Sequence, residues 1–118
     1  LRIRSDSVYE IKKRLSFTES TDIEEFIDDL DVLYVTRIQK ERFPDEEEYL
    51  KVKGSYIVGL DLLQKMKDDS IILHPLPRLD EISTDVDSTK NAKYFEQAEY
   101  GKHTRSALLG LILNENGF

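Results

Sequence analysis

The sequence predicts an α/β fold: an open, mainly parallel sheet with helices on both faces. Three observations carry this. Short β-branched and apolar runs without polar alternation, Val32-Leu33-Tyr34-Val35 and Ser70-Ile71-Ile72-Leu73 above all, have the pattern of strands buried on both faces. Between them lie stretches with helical spacing, and alternating helix and buried strand is the signature of parallel sheets. Each run ends abruptly in polar, charged or proline-rich chain, which places chemistry at strand carboxyl ends, where open α/β sheets bind ligands.

The elements follow in order. Ser7 is positioned to cap a first helix with Val8, Ile11 and Leu15 on one stripe. Ser16-Phe17-Thr18 fits a brief edge strand. Thr21-Asp22-Ile23-Glu24 reads as a capping box, with Thr21 at N-cap and Glu24 at N3, opening a helix that buries Ile23, Phe26, Ile27 and Leu30. The strand Val32 to Val35 then gives way to Thr36-Arg37-Ile38-Gln39-Lys40-Glu41-Arg42, a charged mouth.

Pro44 stands where the next helix can begin. Asp45 to Glu48 supply negative charge to its first turn, Lys51 and Lys53 positive charge near its end, and Gly54 a stop. Tyr56-Ile57-Val58 fits a third strand, and Leu60, Leu63, Lys65 and Met66 a helix that ends at Asp68-Asp69. After Leu73 comes His74-Pro75-Leu76-Pro77, which is excluded from helix and sheet because each proline lacks an N–H and restricts the residue before it. The expected product is an irregular loop rich in carbonyl acceptors. Ile82 to Asn91 is turn-rich. Ala92 to Ala98 and Thr104 to Leu113 read as helices separated near Gly101, the second apolar enough to require a cover.

The 118 residues amount to one domain, small for a complete two-substrate enzyme. Cysteine is absent, which excludes a thiolate nucleophile and suits a reducing, cytoplasmic setting. No apolar run approaches the roughly 20 residues of a membrane span, and the first residues lack the form of a signal peptide. With 24 acidic against 17 basic residues the net charge is −7, which argues against nucleic-acid binding, and Lys12-Lys13-Arg14 reads as a solvated helix face. The sequence carries no glycine-rich phosphate loop, no metal-ligating cluster and no nucleophile elbow, so neither cofactor nor metal is expected.

Arg37 and Gln39 stand one residue apart after a strand, so their side chains can lean to one side and grip a carboxylate through a guanidinium fork and an amide. The plainer alternative is that Arg37 pairs with a nearby acid. The Pro75, Leu76 and Pro77 carbonyls suit a ligand NH2, against the alternative of a rigid surface turn. Arg78 and Arg42 are candidates for an anion or for a bridge to another domain. His74 is a candidate base or, more plainly, a hydrogen-bonded structural histidine.

Three long motifs in register narrow these options. His74-Pro75-Leu76-Pro77-Arg78-Leu79-Asp80-Glu81-Ile82 with Thr84-Asp85-Val86-Asp87, Ala92-Lys93-Tyr94-Phe95-Glu96-Gln97-Ala98, and Asp31 through Arg42 resemble the C-terminal part of aspartate carbamoyltransferase catalytic chains. The likeness runs from about Ser7 to Leu113. Pro75 and the lack of cysteine argue against the sister ornithine enzymes, which carry His-Cys-Leu-Pro at this turn.

The resemblance implies a Rossmann-like aspartate-binding domain over residues 1–118 and carbamoyl transfer from carbamoyl phosphate to the amino group of L-aspartate in pyrimidine synthesis. It implies that Arg37 and Gln39 hold the aspartate carboxylates and that the carbonyls of Pro75, Leu76 and Pro77 receive the carbamoyl NH2. It further implies a cis Leu76-Pro77 bond, an interdomain role for Arg42 on closure, and a mobile loop from Phe43 to Lys53. No side chain of this segment is assigned a catalytic role. The family's carbamoyl-phosphate domain, with its Ser-Thr-Arg-Thr-type loop, is not among these residues, so the segment alone is expected to be inactive. Family sites lie between subunits, which implies a homotrimer of catalytic chains, with attachment of regulatory chains left open. A non-catalytic binding or assembly module of the same fold is the alternative.

Overall fold

The computed structural model describes residues 3–113. Helix α1 (Ser5–Lys12) opens the chain; strand β1 (Val32–Tyr34), helix α2 (Glu46–Val52), the one-turn helix α3 (Leu60–Leu63), strand β2 (Ile71–Leu73) and helix α4 (Tyr94–Leu113) follow. β1 and β2 pair in parallel, with Val32 opposite Ile71, Leu33 opposite Ile72 and Tyr34 opposite Leu73. Two parallel bridges extend this pair's surroundings, Ile72 to Ala92 and Val58 to Ile82. The expected α/β class and parallel pairing are therefore present.

The core explains why the chain folds around β2. Ile72 is fully buried and packs with Ile27, Val35, Val58, Met66, Ile82, Val86 and Tyr94. Burying a side chain of this size stabilises the fold by about 1.5–3 kcal/mol each. β1 departs from the expectation of burial on both faces, since Val32 and Tyr34 are about half exposed, at 47% and 53%. Val32 and Tyr34 share one face of β1, which is only half covered, and among the described residues β1 pairs with β2 alone, which leaves its other edge unpaired.

Several local expectations are corrected. α1 starts at Ser5 rather than after Ser7, and the Ser7 N–H is taken by Asp6 Oδ1 at 2.9 Å. Leu15 lies beyond the helix and is exposed. Ser16 to Thr18 forms no strand. In place of the capping-box helix stands a short 3-10 helix, Ile23–Glu25, capped by Asp22, whose Oδ1 accepts from the Glu24 N–H at 2.9 Å. The Glu24 carboxylate turns away to Lys65 at 2.6 Å, so no reciprocal box forms; Ile27 is buried, while Ile23 and Phe26 remain partly exposed. The third strand shrinks to one bridge at Val58.

Asp45, not Pro44, opens α2, accepting from the Glu48 N–H at 2.8 Å. Gly54 follows its end at φ +70°, the left-handed conformation for which glycine is suited. α4 runs unbroken through Gly101, because a single glycine costs a helix interior only about 1 kcal/mol. Its last two turns expose Leu108, Leu109, Leu111, Ile112 and Leu113. Among the described residues no helix is long and apolar enough to cross a membrane.

Candidate functional site

The parallel register sets the site. Because Tyr34 lies beside Leu73 and the Val35 N–H donates to the Leu73 carbonyl at 2.9 Å, both strands release their chains at the same edge. The charged mouth beginning at Thr36 and the proline turn beginning at His74 therefore start side by side. Tyr56 fastens the first of these by donating its hydroxyl to the Thr36 carbonyl. Burial is the main cause that pushes the Tyr56 phenol up, with the Glu81 charge adding to it.

The turn is built by residues around it. His74 is buried, its backbone N–H donates to Gln97 Oε1 on α4 at 3.1 Å, and its ring bonds at both nitrogens. Nδ1 lies 2.8 Å from the Leu76 N–H and must accept, so Nε2 carries the proton and donates to Glu81 Oε1 at 2.7 Å. The second carboxylate oxygen of Glu81 accepts from the Leu79 N–H at 3.2 Å. With its Nδ1 lone pair engaged, His74 is a structural residue and not a general base. Leu76 sits at φ +49°, a conformation that costs a non-glycine residue about 1–2 kcal/mol. The Leu76-Pro77 peptide is cis, as the resemblance implies.

Pro75 and Pro77 are exposed and Leu76 is half-buried. Among the described residues no donor reaches the carbonyls of Pro75, Leu76 or Pro77. A turn that presents three adjacent acceptors without internal partners suits an NH2-bearing ligand, because each carbonyl oxygen keeps its lone pairs available.

Arg78 is not available to an anion. Its guanidinium forks onto Asp87, with Nη2 to Oδ2 at 2.6 Å, and donates to the Tyr94 hydroxyl at 3.1 Å. It also lies over the rings of Tyr94 and Phe95, at 5.5 Å and 6.0 Å. Hydrogen bonding by Arg78 holds the Asp87 carboxyl below the usual carboxylate range. Burial, with the Asp87 hydrogen bond behind it, pushes the Tyr94 phenol up to about 12, so it is a hydroxyl donor at neutral pH.

Arg37 is one-third exposed and pairs with Glu41 Oε1 at 2.5 Å, the plainer of the two sequence alternatives. The backbone hydrogen bond at Glu41, followed by that from Arg37, holds this carboxyl below its ordinary value. Gln39 is half-buried, and its carbonyl accepts from the Arg42 N–H at 3.1 Å, which starts a 3-10 turn over Lys40–Arg42. Arg42 is exposed at the end of that turn. Next to it, Lys40 reaches Glu46 at 2.5 Å and ties the mouth to α2. A small open hollow lies between α2 and the chain after the proline turn, bordered by Ile38, Tyr49, Tyr56 and Glu81. Arg37, Gln39 and the prolines do not line it.

Glu81, Gln97, Asp87 and Tyr94 escape pattern-based reading, although all four fall within the motifs quoted above. Their roles depend on contacts 7 to 23 residues apart in sequence.

Residues 4–112 match the family model described as aspartate/ornithine carbamoyltransferase, Asp/Orn binding domain. The chain is 86% identical over its full length to the aspartate carbamoyltransferase catalytic subunit of Nitrosopumilus maritimus, of which it spans 38%. Against the catalytic subunit of M. jannaschii aspartate transcarbamoylase the TM-score is 0.83 at 48% identity, over 98% of this chain and 38% of that one. The Trypanosoma cruzi aspartate transcarbamoylase in complex with N-(phosphonacetyl)-L-aspartic acid is 34% identical, with a TM-score of 0.76 over 91% of this chain and 36% of that one. The chain thus spans little more than a third of the relatives it matches. By the family match over residues 4–112 and the identity to these catalytic subunits, the chain belongs to the aspartate/ornithine carbamoyltransferase family as its Asp/Orn-binding domain.

Proposed function

We propose that this segment is the amino-acid half of an aspartate carbamoyltransferase active site, acting with a carbamoyl-phosphate-binding domain carried elsewhere in the complete catalytic chain. The observation that carries the reading is the parallel register that puts the Arg37 mouth and the Pro75 to Pro77 carbonyls at one sheet edge. Arg37 and Gln39 hold the two carboxylates of L-aspartate, Arg37 exchanging Glu41 for the substrate. The turn carbonyls accept from the carbamoyl NH2. The neutral amine of aspartate forms the new C–N bond, the C–O bond to phosphate breaks, and the departing phosphate takes the proton that the amine loses. No protein nucleophile takes part, so catalysis is by orientation and by fixed positive charge near the developing oxyanion.

Arg42, exposed at the end of its turn, bridges to the partner domain on closure, and the chain from Phe43 to Lys53 moves with it. Catalytic chains assemble as a homotrimer in the cytoplasm. The supporting analogy is the T. cruzi relative solved with N-(phosphonacetyl)-L-aspartic acid, a ligand combining the two substrate halves.

In the complete catalytic chain, Arg37→Ala is expected to raise the KM for aspartate and lower kcat, while equilibrium binding of carbamoyl phosphate stays near wild type. Aspartate kinetics indifferent to this substitution would remove Arg37 from the site.

A further inference from the structure

The three turn carbonyls are oriented by backbone conformation alone, because no donor among the described residues holds any of them. That conformation is centred on Leu76, whose φ of +49° a leucine adopts only when its surroundings impose it. The Leu76 N–H is held at 2.8 Å by His74 Nδ1. This peptide also carries the Pro75 carbonyl, so rotating it would swing that acceptor away. His74 in turn accepts only in the tautomer protonated at Nε2, and the buried Glu81 carboxylate selects that tautomer by accepting from Nε2 at 2.7 Å. Glu81 also holds the Leu79 N–H at 3.2 Å, and Gln97 holds the His74 N–H at 3.1 Å, so the turn is clamped on both sides of the prolines.

We propose that His74 and Glu81 are positioning residues for carbamoyl recognition: Glu81 fixes the histidine tautomer, and the histidine fixes the Leu76 peptide so that the turn carbonyls meet an NH2 group. The proposal rests on the functional reading above and names residues that do not themselves touch substrate.

The test uses the complete catalytic chain and compares carbamoyl phosphate with inorganic phosphate, which lacks the NH2 the carbonyls would receive. His74→Leu removes both ring bonds. It is expected to weaken carbamoyl phosphate binding about tenfold, the worth of one lost neutral hydrogen bond at the upper end of its range. It should also lower kcat by about 10²-fold, as a displacement near 1 Å does. Phosphate affinity is expected to be unchanged. His74→Asn, whose amide oxygen can take the place of Nδ1, should recover part of both losses.

If His74→Leu does not fold, Glu81→Gln and Glu81→Leu decide instead. The glutamine keeps one acceptor, for Nε2–H, while its NH2 faces the Leu79 N–H, so it should retain carbamoyl phosphate binding in larger part than the leucine, which should lose it. Folded variants with wild-type carbamoyl phosphate affinity and kcat, or with equal losses for phosphate and carbamoyl phosphate, overturn the proposal. A wild-type chain that forms no carbamoyl aspartate overturns the functional reading and this proposal with it, whereas an active wild type with indifferent variants overturns the positioning role alone.

Discussion

Arg78→Ala tests whether this arginine is a brace or a ligand. The substitution removes a forked ion pair to Asp87, a hydrogen bond to Tyr94 and the packing of the guanidinium over two rings. The side chains of Arg78 and Asp87 are 14% and 31% exposed, so the pair lies between the surface limit, worth under about 1 kcal/mol, and the buried limit of about 3–5 kcal/mol on breaking. A hydrogen bond to a charged group contributes about 1.5–3 kcal/mol, and cation–π contact about 0.5–1 kcal/mol at a partly exposed site. Because these contributions share one side chain they do not add fully, and about 3 kcal/mol is the expected loss. Taking about 2 °C per kcal/mol for a long chain, Tm of the complete catalytic chain should fall by about 6 °C. Arg78→Lys keeps the charge but not the fork or the stacking, and should fall between wild type and Arg78→Ala. The assay is differential scanning calorimetry paired with the KM for aspartate. An unchanged Tm with a raised KM would refute the brace and return Arg78 to the anion-binding candidates.

Two further predictions concern the same frame. Gly54→Ala meets nothing within 4 Å of the new Cβ, so its cost is conformational only: the φ of +70° should make it lose about 1 kcal/mol, read as a shift in urea midpoint, and Gly54→Asn less. For Asp87, a folded-state pKa held below the unfolded value of about 3.9 means that the unfolded chain binds the proton more readily. The Arg78–Asp87 contribution is then fully present above about pH 4 and is lost as pH falls through the folded value. Asp87→Asn should therefore be less stable at neutral pH yet lose less on acidification, measured as urea midpoints from about pH 5 to pH 2; curves that stay parallel to wild type would exclude the pair as a source of acid sensitivity.

Much of the site was legible because its signals are local. A proline excludes helix wherever it falls, so the irregular turn after Leu73 followed from His74-Pro75-Leu76-Pro77 alone. Apolar runs ending in charge likewise marked Arg37 and Gln39 at a strand end. Helix caps were less legible. Thr21, Asp22, Ser5 and Ser7 all satisfy the same preference, and the winner was set by which side chain reached an N–H in the folded chain, Asp22 in one case. In place of the helix expected over Thr21 to Leu30 stands the short 3-10 turn Ile23–Glu25, and Glu24 pairs with Lys65, 41 residues away, a partner no window along the chain contains.

What the sequence by itself determined, then, was the α/β class, the two principal strands, the acceptor-rich turn and, through three motifs in register, the family. These rest on steric exclusion, on apolar runs and on residue identity, which need no partner in space. Only the tertiary structure decided which polar groups were free. Arg37 makes only a local pair with Glu41, whereas Arg78, Glu81, His74 and Gln97 are engaged in bracing the turn, because Ile72 and Tyr94 pack α4 against β2 and bring the acceptors and donors of both within hydrogen-bonding distance. The half-exposed face of β1 and the exposed apolar end of α4 are likewise decided in three dimensions, since among the described residues little packs over either.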